Sequence, residues 1–375
     1  MKKEELWQRS LVGVCALILL LGGGGLILRR PQDFSETENR ALRGWGSLSA
    51  AELTDGRFGA SLSKVCADQF PFRRELILWK AQTERWLGKG EHHGILWGRD
   101  GYLIPRDESA DHSVLLANLE AIASLTRTEP NLRLWILPRS IDVMEAWLPK
   151  GYGNGNGEAL ESYLSPLTNS YEKVTDALRL RARTGEQVWY RTDHHYTTTG
   201  AYECYRVLAP TLGLAPLSEE SFFRQTVSQS FLGSSHSALG GVAEQADSVI
   251  LYRYEGDEDF LVENAETGVT RRGFYQRDRL LQKDQYQIFL GGNTAFLRIR
   301  SASVGDRPRY LVIKDSFANA MVPFLAIHAD LDLLDPRYAT LPLSVYLEKE
   351  EYDGILLVVG LGTLATDPSF EKIGR

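Results

Sequence analysis

The chain has 375 residues, 43% of them hydrophobic and 24% charged, which excludes a disordered tail and suffices for one large or two modest folded units. With 42 Lys and Arg against 49 Asp and Glu, for a net charge of -7, it lacks the cationic surplus that a phosphate backbone demands, so a nucleic-acid partner is excluded. Outside the amino-terminal apolar run the only cysteines are Cys66 and Cys204, which allow one disulfide or two free thiols and fix no redox compartment.

No charge falls between Leu11 and Leu28, while Lys2, Lys3 and Arg9 precede this run and Arg29 and Arg30 follow it. As a helix at ~1.5 Å per residue the run covers roughly 27 Å, close to the hydrocarbon thickness of a bilayer. Residues 1–30 are therefore expected to be an uncleaved signal anchor and transmembrane helix, since no small-x-small cleavage pattern follows. The flanking basic residues are too evenly divided to orient it. Residues 31–93 read as a tether and helical lead-in. Within them, 34–40 is polar and suits the start of a short capped helix. Leu76, Ile77, Trp79, Ala81 and Trp86 recur at helical spacing and predict a helix over 73–87.

From residue 94 onward the pattern predicts one α/β domain. Two short apolar runs flank Arg99-Asp100-Gly101 and signal a hairpin over 94–104. Helical spacing resumes over 113–125, a buried strand is expected at 132–137, and one long helix at 158–178. A short strand at 187–190 would deliver Asp193 and His195 at its carboxyl end, with a helix at 202–212 behind it. The stretch 218–301 is richer in Gly, Ser and aromatic residues, with short strands at 248–252 and 287–290, and reads as a β-rich insertion. Strand 310–313, helix 317–328, strand 331–334, helix 343–349 and strand 355–359 then alternate, the pattern of a parallel α/β sheet flanked by helices.

Three residues could carry chemistry together. Ser316 follows an apolar strand and opens a helix, which would stand its hydroxyl at the carboxyl edge of the sheet, where ligands of open α/β folds bind; backbone N–H groups at that helix start would favour developing negative charge. The competing role is the helix N-cap, which position alone favours for a serine. Asp193 and His195 are two apart, so in an extended segment their side chains point the same way. A carboxylate on one imidazole nitrogen leaves the other free to take a serine proton. His194 would then face the opposite side. The competing role for Asp193 is a cap on the helix starting near Thr197. Asp-His-His also suits zinc or iron, but no His-x-x-x-His or His-Glu-x-x-His helical pair accompanies it, so no metal and no cofactor are expected. Gly291-Gly292-Asn293 offers a permissive backbone and an amide as further oxyanion donors, or simply a turn. Arg139, Arg337 and His236 read as solvated polar residues.

Beyond spacing, four groups of residues carry a resemblance: Phe34-Ser35-Glu36 with Glu38-Asn39-Arg40; Asp68-Gln69-Phe70-Pro71 with Arg73; Thr192-Asp193-His194-His195-Tyr196-Thr197 with Gly200-Ala201-Tyr202; and Lys314-Asp315-Ser316-Phe317-Ala318-Asn319. In this order they resemble the DHHW protein family, named for an Asp-His-His-Trp motif. That family is similar to the SGNH-hydrolase-like alginate O-acetylation proteins, in which an Asp-x-His pair precedes the serine of a Gly-Asp-Ser motif. The resemblance implies an SGNH-hydrolase-like fold, Asp193 as orienter, His195 as base and Ser316 as nucleophile. Gly292, Asn293, Tyr196 and His194 remain as oxyanion or substrate candidates. It also implies an extracytoplasmic body on a single-pass anchor in a bacterial cell membrane. Two positions depart: Tyr196 replaces the motif Trp, and Lys314 stands where the acetylation proteins have Gly.

The expected function is a serine-dependent acyltransferase that O-acetylates a surface polysaccharide or cell-wall glycan. Its acyl donor would come through a multispanning membrane acyltransferase. The same triad with water as acceptor is a carbohydrate esterase or deacetylase, and a non-catalytic glycan-binding module is the alternative of another class.

Overall fold

The computed structural model describes residues 2–106, 112–153, 155, 157–243, 245–348 and 350–374. They form two compact units, one of Met1–Lys89 with His236–Val242, the other of Gly90–Ser235 with Ala243–Arg375.

The first unit is helical. Helix α1 (Lys2–Leu28) contains the apolar run, α2 is Phe58–Gln69 and α3 is Arg73–Trp86. The expected membrane span is a helix, yet among the described residues no helix is long and apolar enough to cross a membrane, so the structure does not support the span. The expected short helix at 34–40 is instead a two-residue ladder, Phe34–Ser35 against Arg40–Ala41, turned by Asn39 at φ 51°, a left-handed conformation that asparagine tolerates. A half-buried and an exposed ion pair hold this hairpin to the helices: Arg73 Nη2 donates to Glu38 at 2.9 Å and Arg40 to Asp68 at 2.6 Å. Gln69 donates to the carbonyls of Gln32 (2.9 Å) and Arg43 (2.8 Å). The first two family segments are thus the latch of this unit.

The second unit is built on a seven-stranded mixed sheet. Its strands in chain order are β1 (Leu132–Leu137), then β4 (Phe260–Asn264), β5 (Val269–Arg272), β6 (Phe296–Ser301), β7 (Arg309–Lys314), β8 (Asp330–Leu334) and β9 (Gly354–Gly360), while β2 (Phe223–Phe231) and β3 (Asp247–Arg253) pair separately. The spatial order is β5-β4-β6-β8-β7-β9-β1. Strands β8, β7, β9 and β1 run parallel, with Val312 opposite Leu333 and Leu356. Strands β6, β4 and β5 extend the β8 edge antiparallel.

Two expectations are corrected here. The sheet is mixed rather than parallel, and the stretch 218–301, β-rich as expected, is more than an insertion, because it supplies three of the seven strands and so covers an edge of β8 that would otherwise expose unpaired backbone groups.

Strand β9 reads Gly-Ile-Leu-Leu-Val-Val-Gly and is buried throughout, as expected where helices cover both sheet faces. Its alternation divides the core. Ile355, Leu357 and Val359 join Leu311 and Ile313 under α4 (Ser113–Thr128). Leu356 and Val358 join Val312 under α5 (Ser170–Arg183) and α6 (Thr198–Leu208). Full burial of each such side chain is worth about 1.5–3 kcal/mol.

Other expectations fail locally for identifiable reasons. The long helix over 158–178 is two, Gly157–Leu164 and α5, because Pro166 lacks the N–H to continue the first. The helix over 317–328 is a 3-10 turn, Ser316–Ala320, followed by α7 (Val322–Ala326), with Pro323 in the first turn of α7. The strand expected at 287–290 is a 3-10 turn at Gln285–Ile288. Helix 343–349 ends at Leu347, and position 349 lies outside the described residues. Cys66 and Cys204 are both free thiols.

Candidate active site

The nucleophile turn begins where β7 ends. The chain passes from β7 to β8 on one side of the strand and returns to β9 on the other, so the carboxyl end of β7 lies at the switch point where open α/β sheets bind ligands. Asp315, fully buried, is extended at φ -111° and caps the following turn, its Oδ1 accepting the Phe317 N–H at 3.0 Å. Its Oδ2 accepts from Gly360 N (2.9 Å) and Thr363 Oγ1 (2.6 Å). The N-cap role is therefore Asp315's. Ser316, one residue further, keeps its hydroxyl for other work. The Phe317 amide, engaged by Asp315, is not the oxyanion donor that the helix start suggested. Two buried tyrosines fix the carbonyls of the turn: Tyr286 donates to Ser316 O at 3.0 Å, and Tyr196 to Phe317 O.

The segment carrying Asp193 and His195 is a tight loop and not the end of a strand. Trp189 bridges Tyr196, Tyr190 N donates to His195 O at 3.2 Å and Thr197 N to Val188 O at 2.9 Å. Asp247 anchors the loop, accepting from Arg191 N (2.9 Å), Thr192 N (2.8 Å) and Thr192 Oγ1 (2.7 Å). Thr197, not Asp193, caps α6, its hydroxyl accepting from Gly200 N at 3.3 Å.

Asp193 Oδ1 accepts both the His195 backbone N–H (3.0 Å) and Nδ1 (2.6 Å). The two side chains thus meet through a local side-chain-to-backbone turn, not through strand alternation. Asp193 Oδ2 accepts from Ser234 N at 2.7 Å. Burial opposes the ionised carboxyl, but the charges of His194 and His195 and these hydrogen bonds hold it well below the usual carboxylate range.

His195 Nε2 lies 2.8 Å from Ser316 Oγ. With Nδ1–H turned to Asp193, Nε2 is the acceptor in the neutral ring. The imidazole stacks on Tyr286, centroids 3.8 Å apart and planes 6° apart. His194 does not face the opposite side as an extended segment would require. Its ring centroid is 3.8 Å from that of His195, its Nδ1 meets Ser234 Oγ, and it is partly exposed. Asp193, His194 and His195 bring potential cation ligands within 4.8 Å of one another, but both Asp193 oxygens, His195 Nδ1 and Nε2, and His194 Nδ1 already have protein partners.

Sequence reasoning missed Asp247 and Gly233. A Cβ on Gly233 would sit 2.3 Å from Asp193 Oδ2 and 2.4 Å from its Cβ, so only glycine lets this backbone cover the carboxylate. Gly233→Ala is expected to destabilise the fold by about 1–3 kcal/mol and to lower any His195-dependent rate by about 100-fold, since small misplacements of reacting groups cost that much. Chemical denaturation beside an ester assay checks both. Asp247 carried no motif, but the Gly233-Ser234-Ser235 run of small residues was a readable sign of close backbone approach.

Of the oxyanion candidates, Gly292 is turn backbone. Leu290, Gly291 and Gly292 all have positive φ, and the Gly292 N–H donates to Phe289 O at 3.2 Å, which removes it as a donor. Asn293 is half-buried, and its Oδ1 accepts from Lys314 Nζ (3.3 Å) and Asn319 Nδ2 (3.0 Å). Lys314 keeps regular pairing with Val358, and its side chain turns inward to Asn319 Oδ1 (2.8 Å) and Asp335 (3.6 Å). Burial pushes its ammonium down to about 8, against the pull of Asp335. Two residues expected to be solvated are not: Arg139 is 4% exposed and paired with Asp142 at 2.8 Å, and His236, in the first unit, is 7% exposed. Arg337 is bound to Asp335 at 2.7 Å.

The family model described as DHHW protein matches residues 136–331, a span that holds the loop of Asp193 and the turn of Ser316. Among solved structures, a DHHW family protein from Eubacterium siraeum is similar at 17% identity, covering 75% of this chain and 95% of that one with a TM-score of 0.59. Bacillus cereus PatB1 is similar at 19% identity, covering 74% and 99% with a TM-score of 0.60. PatB1 has also been solved with a sulfonyl adduct, 18% identical over the same share, with a TM-score of 0.60. No curated protein matches the sequence.

Proposed function

This chain belongs to the DHHW protein family, and from that premise we propose that it is a serine-dependent O-acyltransferase acting on a glycan. The observation that carries this reading is the relay from Asp193 through His195 to Ser316, 2.6 Å and 2.8 Å long, with each member 9% exposed or less.

Ser316 Oγ attacks the carbonyl carbon of an acyl donor as its proton passes to His195 Nε2, forming a tetrahedral oxyanion. The oxyanion collapses to an acyl-serine and expels the donor's leaving group, which takes the proton from His195. A sugar hydroxyl then gives its proton to His195 and attacks the acyl-serine carbonyl; the second tetrahedral oxyanion collapses to the sugar ester, and the Ser316 oxygen it expels takes the proton back from His195. Asp193 holds the imidazole tautomer and balances its positive charge. The Asn293 side-chain amide is the proposed oxyanion donor, while the aromatic Tyr196, in place of the motif Trp, fixes the turn through Phe317 O. Half-exposed His194 is the residue assigned in this reading to meet the acceptor.

In this reading the charge-free run from Leu11 to Leu28, with Leu11, Leu20 and Leu28 exposed on α1, is a membrane tether, and the family resemblance alone puts the body on the outer face of a bacterial envelope. There the acyl group would arrive through a multispanning membrane partner. Water as acceptor makes the same relay an esterase, whereas a purely binding module would leave a buried relay of this geometry without a task.

The test incubates the full purified chain with a chromogenic acetyl ester, with and without an oligosaccharide, and analyses the products. Chromophore release with acetylated sugar is expected. Free acetate alone at saturating acceptor would favour the esterase, and release no faster than the uncatalysed reaction would overturn both.

A further inference from the structure

The position before the Asp315-Ser316 pair is a lysine, and its side chain is almost fully buried, at 1% exposure. A buried ammonium is costly to keep, and this one lies two residues from the proposed nucleophile. Asp335 at 3.6 Å balances its charge, but Asp335 is already paired with Arg337 (2.7 Å), so the pair has no need of Lys314. The remaining partners of Nζ are two amide oxygens, Asn319 Oδ1 and Asn293 Oδ1.

An ammonium has three donors and no acceptor, so it dictates which end of each amide faces it. Asn319 turns Oδ1 to Lys314, which leaves Nδ2 to donate to Asn293 Oδ1 at 3.0 Å. Asn293 therefore has both donors on its oxygen, and its Nδ2 must point away from them. In the 3-10 turn Ser316–Ala320, residues three apart eclipse, so Asn319 lies on the face that carries Ser316. Asn293, joined to it, is half-buried where Lys314 and Asn319 are 1% exposed, so its outward end is its N–H end.

We infer that Lys314 is a positioning residue: through Asn319 and Asn293 it fixes the amide of Asn293 with Nδ2 presented on the Ser316 face, ready for the oxyanion of the acyl intermediate. This rests on the acyl-transfer reading above. The lysine that departs from the acetylation proteins' Gly thereby becomes part of the machinery.

A double-mutant cycle on the full chain tests it, with the chromogenic acetyl ester as probe and Ser316→Ala as the reference. Asn293→Ala is expected to lower kcat by about 100-fold or more, the usual loss for one oxyanion donor. Lys314→Met is expected to lower kcat by about tenfold to 100-fold with KM within about twofold, and to add less than about twofold in the Asn293→Ala background. Equal cost of Lys314→Met in both backgrounds, or loss confined to KM, would overturn the assignment. If Lys314→Met does not fold, Asn319→Ala removes the other donor to Asn293 Oδ1 and carries the same expectation. When Ser316→Ala abolishes turnover and the cycle is additive, only the positioning role falls; when Ser316→Ala leaves turnover intact, the acyl-transfer reading falls with it.

Discussion

Ser316→Ala is expected to lower ester turnover by on the order of 10⁴-fold or more while shifting unfolding free energy by no more than about 1 kcal/mol. The two effects separate because the hydroxyl has no structural duty. The cap of its turn is Asp315, and Tyr286 holds the Ser316 carbonyl, which the substitution leaves untouched. What is lost is the atom 2.8 Å from His195 Nε2, and with it the acyl-serine. Initial rates on a chromogenic acetyl ester, paired with urea denaturation, measure both quantities. Mass spectrometry after a sulfonyl fluoride gives an independent reading, since the variant should no longer gain the adduct. Activity above a tenth of the parent's in a folded variant would sink the serine mechanism.

Asp193→Asn is expected to lower kcat by about 10⁴-fold and, unlike the serine variant, to destabilise the protein by roughly 2–3 kcal/mol at neutral pH. Its carboxylate accepts three N–H donors, from His195 N, His195 Nδ1 and Ser234 N. An amide sets an NH₂ against one of them. If it faces Nδ1, the imidazole must carry its proton on Nε2 and can no longer accept one from Ser316. The stability loss has a defined pH dependence. The Asp193 pKa is lowered in the fold, so its contribution is fully present above the unfolded carboxyl value of about 3.9 and fades as pH falls toward the folded value. The gap between parent and variant should therefore be constant near neutrality and close below about pH 4. A gap that widened in acid would contradict an ionised Asp193.

Much of the second unit was legible because local patterns and tertiary demands agree there. Strand β1 has the predicted bounds and β9 extends the predicted run by one glycine at each end, since both are continuous apolar runs stopped by turn residues. Where the sequence misled, a single group overrode the pattern: Pro166 split a helix that apolar spacing alone continues, and the backbone closure between Trp189 and Tyr196 made a loop of an apparent strand.

The Asp193–His195 contact illustrates the division. Residue type and spacing led the sequence to pair these two residues, but the contact forms because a carboxylate bonds the backbone two residues ahead, not because two side chains share a strand face.

By itself the sequence determined the apolar strands and which residue types could shuttle a proton. The tertiary structure decided what those residues are joined to. Ser316 lies 121 positions from His195, and only the packing of the His195 loop against the turn after β7 brings the two within hydrogen-bond reach. Asp247, Gly233 and Lys314 gain their importance the same way. A hydrogen bond or a close backbone approach depends on distances of a few ångström between segments remote in the chain, and such distances are written in no local spacing.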